Sequence, residues 1–375
     1  MRNIVFPGIA MIGVSYAFAR FSFGLFLPEI SEALKLTETN SGIISSISYI
    51  AYCIALLTSS LLIQKYGQHT AIRLAGISAV LGMAGIALAP NAYVLTGSLF
   101  FAGLSTGWAS PAYGSVAANE LRKQDRDRGN TWINTGTSFG IILSGPISML
   151  FTEHWRLSYA LFTFIGLAVL IWNEKAIPVR KQRTTSLSLL MRLPNKSTRL
   201  ILASLIVGIS SSIYWTFSRS LLTIEHDVSY SAIAWFWIVI GVSGIAGGLA
   251  GRIIEQVGMQ CAYGSGLFLM VSSVALLTIP SLSISFLSAI LFGITYIFLT
   301  GVFIVWGTQL FPENPSVGIS LSFVLLGIGQ FVGSSLAGGV IQFFSYTTAF
   351  LVFSFIGLFG LFVQEKQTHK TEAKE

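Results

Sequence analysis

Charge is what this sequence lacks most. Charged residues make up 10% of its 375 positions, whereas a soluble domain carries about 25%. Such a chain cannot cover a water-facing surface, so a soluble globular fold is excluded. Cysteine is nearly absent too. Cys53 and Cys261 both fall in or beside apolar segments, which gives neither a disulfide framework nor a thiolate metal site. The four histidines, His69, His154, His226 and His369, fall at polar breaks and share no ligand spacing. No metal and no other cofactor is expected. No Gly-x-x-x-x-Gly-Lys-Ser/Thr loop occurs, which argues against ATP-driven work. Acidic residues are missing from the apolar segments: none of the 15 Asp and Glu residues lies in the middle of one.

What is present is apolar. Hydrophobic residues reach 53%, with 28 Phe and 37 Gly, and the mean hydropathy is +0.73. The apolar stretches are continuous over about 20 residues, the length of a membrane-spanning helix. They do not alternate as barrel strands do. The fold expected is an all-α integral membrane protein. Twelve spans are predicted, at 4–27, 41–63, 71–89, 93–117, 130–151 and 157–172, then 200–223, 231–254, 261–279, 283–308, 317–343 and 347–363. The N-terminus opens directly into the first span without a small-residue cleavage site and reads as uncleaved.

Basic residues test this division. With a cytoplasmic N-terminus, 18 of the 22 Lys and Arg fall on the inner side. Only Lys35 and Arg156 fall outside, and Arg20 and Arg219 lie within spans. That is the positive-inside pattern of a plasma-membrane protein with both termini in the cytoplasm. The net charge of +7 is then mainly a topology signal, and no nucleic-acid partner is needed. The longest polar break, 173–199, is basic and central. It is read as a cytoplasmic linker between six-helix bundles at 1–172 and 200–363, with 364–375 as a cytoplasmic tail.

The halves repeat. Ser60 to Gly67 at the end of span 2 matches Gly251 to Gly258 at the end of span 8, and Phe162 to Gly166 matches Phe353 to Gly357, both at an offset of 191 residues. Two parallel repeats place a binding site between them near the midplane. In this arrangement the chain resembles the major facilitator superfamily over essentially its whole length. The most specific motif of that family is the loop after span 2, Gly-x-x-x-Asp-Arg/Lys-x-Gly-Arg-Arg/Lys. The equivalent positions here are Ser60, Gln64, Lys65, Gly67, Gln68 and His69, so the Asp and the trailing basic pair are lost. The copy after span 8 keeps Gly251, Glu255 and Gly258. The resemblance implies a gating role for Lys65, Gly67, Gly251, Glu255 and Gly258, a monomer, and transport by alternating access. The Arg-x-x-x-Gly of proton-coupled drug antiporters is absent from span 4, where Gly103 stands in place of the Arg before Gly107. Gly136, Gly140, Gly145 and Pro146 form a loose version of their span 5 motif, although small residues also serve plain helix packing. The segments 16–28 and 130–146 resemble those of the YbfB-like bacterial transporters.

The two intramembrane arginines carry the functional reading. Arg20 lies eight residues before Pro28, about 12 Å down its helix and near the middle of a core about 30 Å thick. A guanidinium there needs water or an anion. Gly13, Tyr16 and Gly24 share its helix face. Arg219 lies six residues before Glu225, about 9 Å deep, and shares a face with Gly208, Ser212 and Trp215. It could serve substrate, snorkel outward, or pair with Glu225 or Asp227. Since spans 1 and 7 are equivalent helices of the two halves, the pair could clamp an anion between them. Weaker candidates are Tyr296, Thr300, Phe303 and Trp306 in span 10, Trp108, Pro111 and Ser115 in span 4, Asn134 in span 5 and Gln330 in span 11. The expected function is secondary or facilitative transport of a small, anionic solute. The alternative is efflux of drugs or other amphiphiles. A membrane-embedded enzyme is not expected, because no His, Asp and Glu cluster lies at membrane depth.

Overall fold

A computed structural model describes residues 2–152, 154–179 and 197–363. The chain is almost entirely helical, and no strand occurs among the described residues. Helix α1 (Arg2–Leu25) is followed by α2 (Glu38–Tyr66), α3 (Gln68–Leu88), α4 (Ala92–Glu120), α5 (Arg126–Asn134, then Gly136–Phe151) and α6 (Trp155–Ala176). The second half holds α7 (Ser197–Ile224), α8 (Tyr230–Val257), α9 (Met259–Leu276), α10 (Leu282–Leu310), α11 (Pro315–Phe343) and α12 (Tyr346–Phe362). Among the described residues nine of these are long and apolar enough to cross a membrane. The other three, α4, α5 and α12, fall where spans 4, 5 and 12 are expected. Helix α4 is diluted by Gly, Ser and Thr, and α5 is interrupted at Thr135. Helices α6 and α7 reach into both ends of the expected linker. Its residues 180–196, and the expected tail 364–375, lie outside the described residues.

The repeat is visible in backbone angles. Gly67 ends α2 with φ 88° and ψ 161°, and Gly258 ends α8 with φ 81° and ψ 159°. Only glycine adopts that positive φ without strain, so the chain reverses into α3 and into α9 by the same turn. Phe162 and Phe353, the other matched pair, are both buried.

Helix α1 is irregular where it matters. From Gly13 to Phe21 it winds as a wide π-helical stretch, and the Ser22 hydroxyl donates back to the Ala17 carbonyl at 2.9 Å. Wide turns of this kind recur at functional sites. The helix breaks at Phe26 and resumes as Leu27–Leu34, ending at Lys35 with a left-handed φ of 53°. Pro28 sits in the first turn of the resumed piece, where its missing N–H costs little. The sequence reading ended span 1 at this proline. The continuation swings Glu29 back over the bundle.

Between the halves α2 runs along α11, α5 along α8, and α1 against α7. Gly24 allows the last contact: a Cβ there would collide with the Trp215 carbonyl. Cross-half hydrogen bonds gather toward the end that carries residues 35–37 and 344–345. The Thr39 amide donates to Gln342 at 3.2 Å, and Tyr230 donates to the Ser148 carbonyl at 2.9 Å. Ser45, Thr216 and Ser334 link α2, α7 and α11 through hydroxyl contacts of 3.2 Å each. At the other end, a Cβ on Gly251 or Gly258 would meet open space.

Candidate functional site

Arg20 closes the wide stretch of α1 and is 5% exposed. One terminal nitrogen donates to the side-chain oxygen of Gln330 on α11 at 2.8 Å. The Gln330 amide nitrogen in turn donates to the Tyr296 hydroxyl on α10 at 3.0 Å. The guanidinium carbon lies 4.4 Å from the ring centre of Tyr52 and 4.6 Å from that of Tyr49, both on α2. Desolvated cation–π contacts of this kind contribute up to about 2 kcal/mol each. Phe21 lies 5.3 Å from the same carbon and stacks on Trp215 of α7 at 4.2 Å. Trp215 meets Tyr296 edge-on at 5.1 Å. Tyr16, half-buried, packs on Phe21 and Tyr52 at 6.3 and 6.5 Å.

Five residues singled out in the sequence, Arg20, Tyr16, Trp215, Tyr296 and Gln330, therefore meet in one cluster drawn from both halves. Tyr49 and Tyr52 were not anticipated. Their signal was present: two polar-tipped aromatics three apart in span 2 share a helix face. Two donors in the cluster, Arg20 Nε and Trp215 Nε1, are buried with no hydrogen-bond partner among the described residues. An unsatisfied buried donor costs about 1–3 kcal/mol, which makes each a place where an acceptor would bind.

Arg219 is used differently. It is 1% exposed, forms an ion pair with Glu29 and donates to the Leu25 carbonyl. Its guanidinium carbon lies 4.8 Å from the Tyr230 ring. Of the alternatives left open by the sequence, pairing is the one observed, with Glu29 in place of Glu225 or Asp227, because the chain resumes as a helix past the break at Phe26. Glu225 instead accepts from the amides of Tyr346 and Thr347 at 2.8 and 3.1 Å, at the start of α12. Arg219 thus ties α7 to α1 and takes no place beside Arg20.

The remaining candidates scatter. Asn134 is exposed at the break in α5. Its neighbour Ile133 packs on Gly8, twelve residues and about 18 Å along α1 from Arg20. Trp306 packs on Tyr263 at 5.5 Å, and Trp108 donates to Thr58 at 3.1 Å. At the turn after α2, Gln68 is buried and accepts from Asn119 at 3.1 Å and from Ser115 at 3.3 Å on α4. Arg73 pairs with Glu174 of α6 at 3.3 Å. Amides and a distant acid thus hold the loop where the family motif would place its trailing basic pair. Lys65 is exposed, with its ammonium 5.1 Å from the Tyr66 ring. Gly251 and Glu255 are exposed beside the Gly258 turn.

The sequence profile of the Major Facilitator Superfamily matches residues 9–323. A curated relative, "Transcription regulatory protein OpdE" of Pseudomonas aeruginosa, is 22% identical over 372 residues, covering 92% of this chain and 91% of that protein. The human "Voltage-gated purine nucleotide uniporter SLC17A9" is 24% identical over 171 residues, or 44% of this chain and 39% of that protein. A crystal structure of a single-substitution variant of the nucleoside transporter NupG superposes with a TM-score of 0.81 at 13% identity, covering 96% of this chain and 98% of that one.

Proposed function

We propose that this chain, which belongs to the Major Facilitator Superfamily, is a secondary or facilitative transporter of a small anionic solute. Arg20 carries the reading. Its contacts are with Gln330, Tyr49, Tyr52 and Phe21, all uncharged. No Asp or Glu occupies the body of a spanning helix to balance it. A guanidinium at bilayer depth costs about 2.5–3.5 kcal/mol on insertion scales, and an anion arriving through a cavity offsets that cost. The neutral Gln330 oxygen then gives way to a charged oxygen, which accepts the stronger, charge-assisted bond. Purine nucleotides, the cargo for which the human relative is named, are anions.

The two halves supply the means of alternation. Their contacts are concentrated at the Arg219–Glu29 end, while Gly251 and Gly258 face open space. With the basic residues in the cytoplasm, this is an inward-facing state. Rocking to the outward state parts Arg219 from Glu29 and Leu25. It also brings together the turns at Lys65 and Gly67 and at Gly251, Glu255 and Gly258.

The test is counterflow of a panel of radiolabelled anions in proteoliposomes, with wild type beside Arg20→Ala. Exchange of at least one anion that depends on Arg20 is expected. A second reading, export of amphiphiles, rests on the aromatic wall of Tyr16, Phe21, Tyr52, Trp215 and Tyr296. Transport of cationic or neutral amphiphiles that is indifferent to Arg20→Ala would replace the anion reading by that one.

A further inference from the structure

Building on the anion reading above, we infer that the cargo is a monoanion with one planar charged group on an apolar, ring-sized body. A hydrophobic monocarboxylate fits, and a dicarboxylate, a phosphate ester or an amino acid does not.

The first argument is a count of charge. Among the described residues two guanidiniums are buried, both within spanning helices. Arg219 is already neutralised by Glu29, holds the Leu25 carbonyl and is 1% exposed. One positive charge, on Arg20, is left for cargo. A monoanion makes the site neutral. A dianion leaves a net negative charge in a low-dielectric interior, with no second cation to offset its desolvation. A zwitterion needs a counter-charge for its ammonium. The acidic residues sit near helix ends or between helices, and the faces of Tyr49 and Tyr52 are occupied by the guanidinium itself.

The second argument is the shape of the donor group. Arg20 Nε and Trp215 Nε1 are buried N–H groups of this cluster with no hydrogen-bond partner among the described residues. Both side chains are more than nine-tenths buried, and both border the ring of Phe21, Trp215 at 4.2 Å and the Arg20 guanidinium carbon at 5.3 Å. The guanidinium keeps N–H groups beyond the one that Gln330 accepts, and its planar fork matches the two coplanar oxygens of a carboxylate. The rest of the wall is aromatic: Tyr16, Phe21, Tyr52 and Trp215. Its half-buried member, Tyr16, marks the side from which a ring would enter.

The experiment holds the ring constant and varies the charge. Purified, full-length protein is titrated by thermal shift and by counterflow with phenylacetate, phenyl phosphate, L-phenylalanine and phenylacetamide, with succinate as a ringless dianion. Phenylacetate is expected to stabilise the protein and to exchange, and Arg20→Ala to lose both effects. The others are expected to bind at least about tenfold more weakly. Tighter binding of phenyl phosphate or succinate that depends on Arg20 would overturn the monoanion inference and leave the anion reading standing. Binding of phenylacetamide as tight as that of phenylacetate would overturn both. No response to phenylacetate would overturn the inference outright.

Discussion

Arg20 and Gln330, 310 positions apart in the chain, share a 2.8 Å hydrogen bond at the level where the two halves meet. Gln330 is 1% exposed and offers the only neutral oxygen that the guanidinium holds among its described contacts. It occupies the place of a counter-ion without being one.

Gln330→Glu places a carboxylate of the same shape against Arg20. The variant is expected to fold at least as stably as wild type, because the buried cation gains a partner. It is expected to lose at least about tenfold in anion affinity. Thermal melting and equilibrium binding on the same preparation check both halves of this statement. Wild-type affinity would place the anion elsewhere.

Arg20→Lys keeps the charge and loses the planar fork, so binding should weaken while some transport survives. Arg20→Ala removes both and should abolish recognition. Binding to monodisperse Lys and Ala variants decides the matter. Near-wild-type binding by both variants would mean that Arg20 only packs the helices.

Arg219 and Glu29 have side-chain exposures of 2% and 15%. Removing one partner from a buried pair costs about 3–5 kcal/mol, so Arg219→Ala should be strongly destabilising. Adding Glu29→Ala to it should restore part of the loss. The milder Glu29→Gln should loosen the closed end. Spin labels at Thr39 and Gln342, adjacent across the halves, should then show a second, longer distance. An unchanged distance distribution would remove the pair from the gate.

Gly258→Ala meets no neighbour, so its cost is conformational alone, about 1–3 kcal/mol for an L residue at its φ and ψ. Gly67→Ala should cost as much or more. Glu255→Gln, nearby and exposed, should change the rate of transport and leave equilibrium binding intact. Loss of affinity at an unchanged rate would contradict a gating role.

Orientation is tested with single cysteines at Asn91 and Gln256. An impermeant thiol reagent added to intact cells should label the first and spare the second, as the distribution of basic residues requires. The reverse pattern would invert the protein in the membrane.

The helical architecture was legible in the sequence because bilayer thickness fixes span length. The repeat was legible because glycine turns recur at a fixed offset, and Gly67 and Gly258 share their backbone angles. Within the site, Arg20, Tyr296 and Gln330 stood out as polar groups in apolar helices. Tyr49 and Tyr52 did not, since aromatics are ordinary in membrane helices and only the fold brings them around a guanidinium. Glu29 was missed as the partner of Arg219 for a local reason. Pro28 reads as the end of a helix, yet proline also opens one, and the resumed turns carry Glu29 to Arg219.

The wide stretch of α1 puts Arg20 and the anchor of Arg219 on one short run of backbone. Arg20 sits inside it, and the Leu25 carbonyl that anchors Arg219 lies five residues further along the same backbone. Each residue of register gained or lost in a helix turns everything beyond it by about 100°. Were the i→i+5 stretch to tighten by one residue, Gly24 would rotate off the Trp215 carbonyl and Leu25 away from Arg219. A change of register at Arg20 would thus turn the anchor of Arg219 as well.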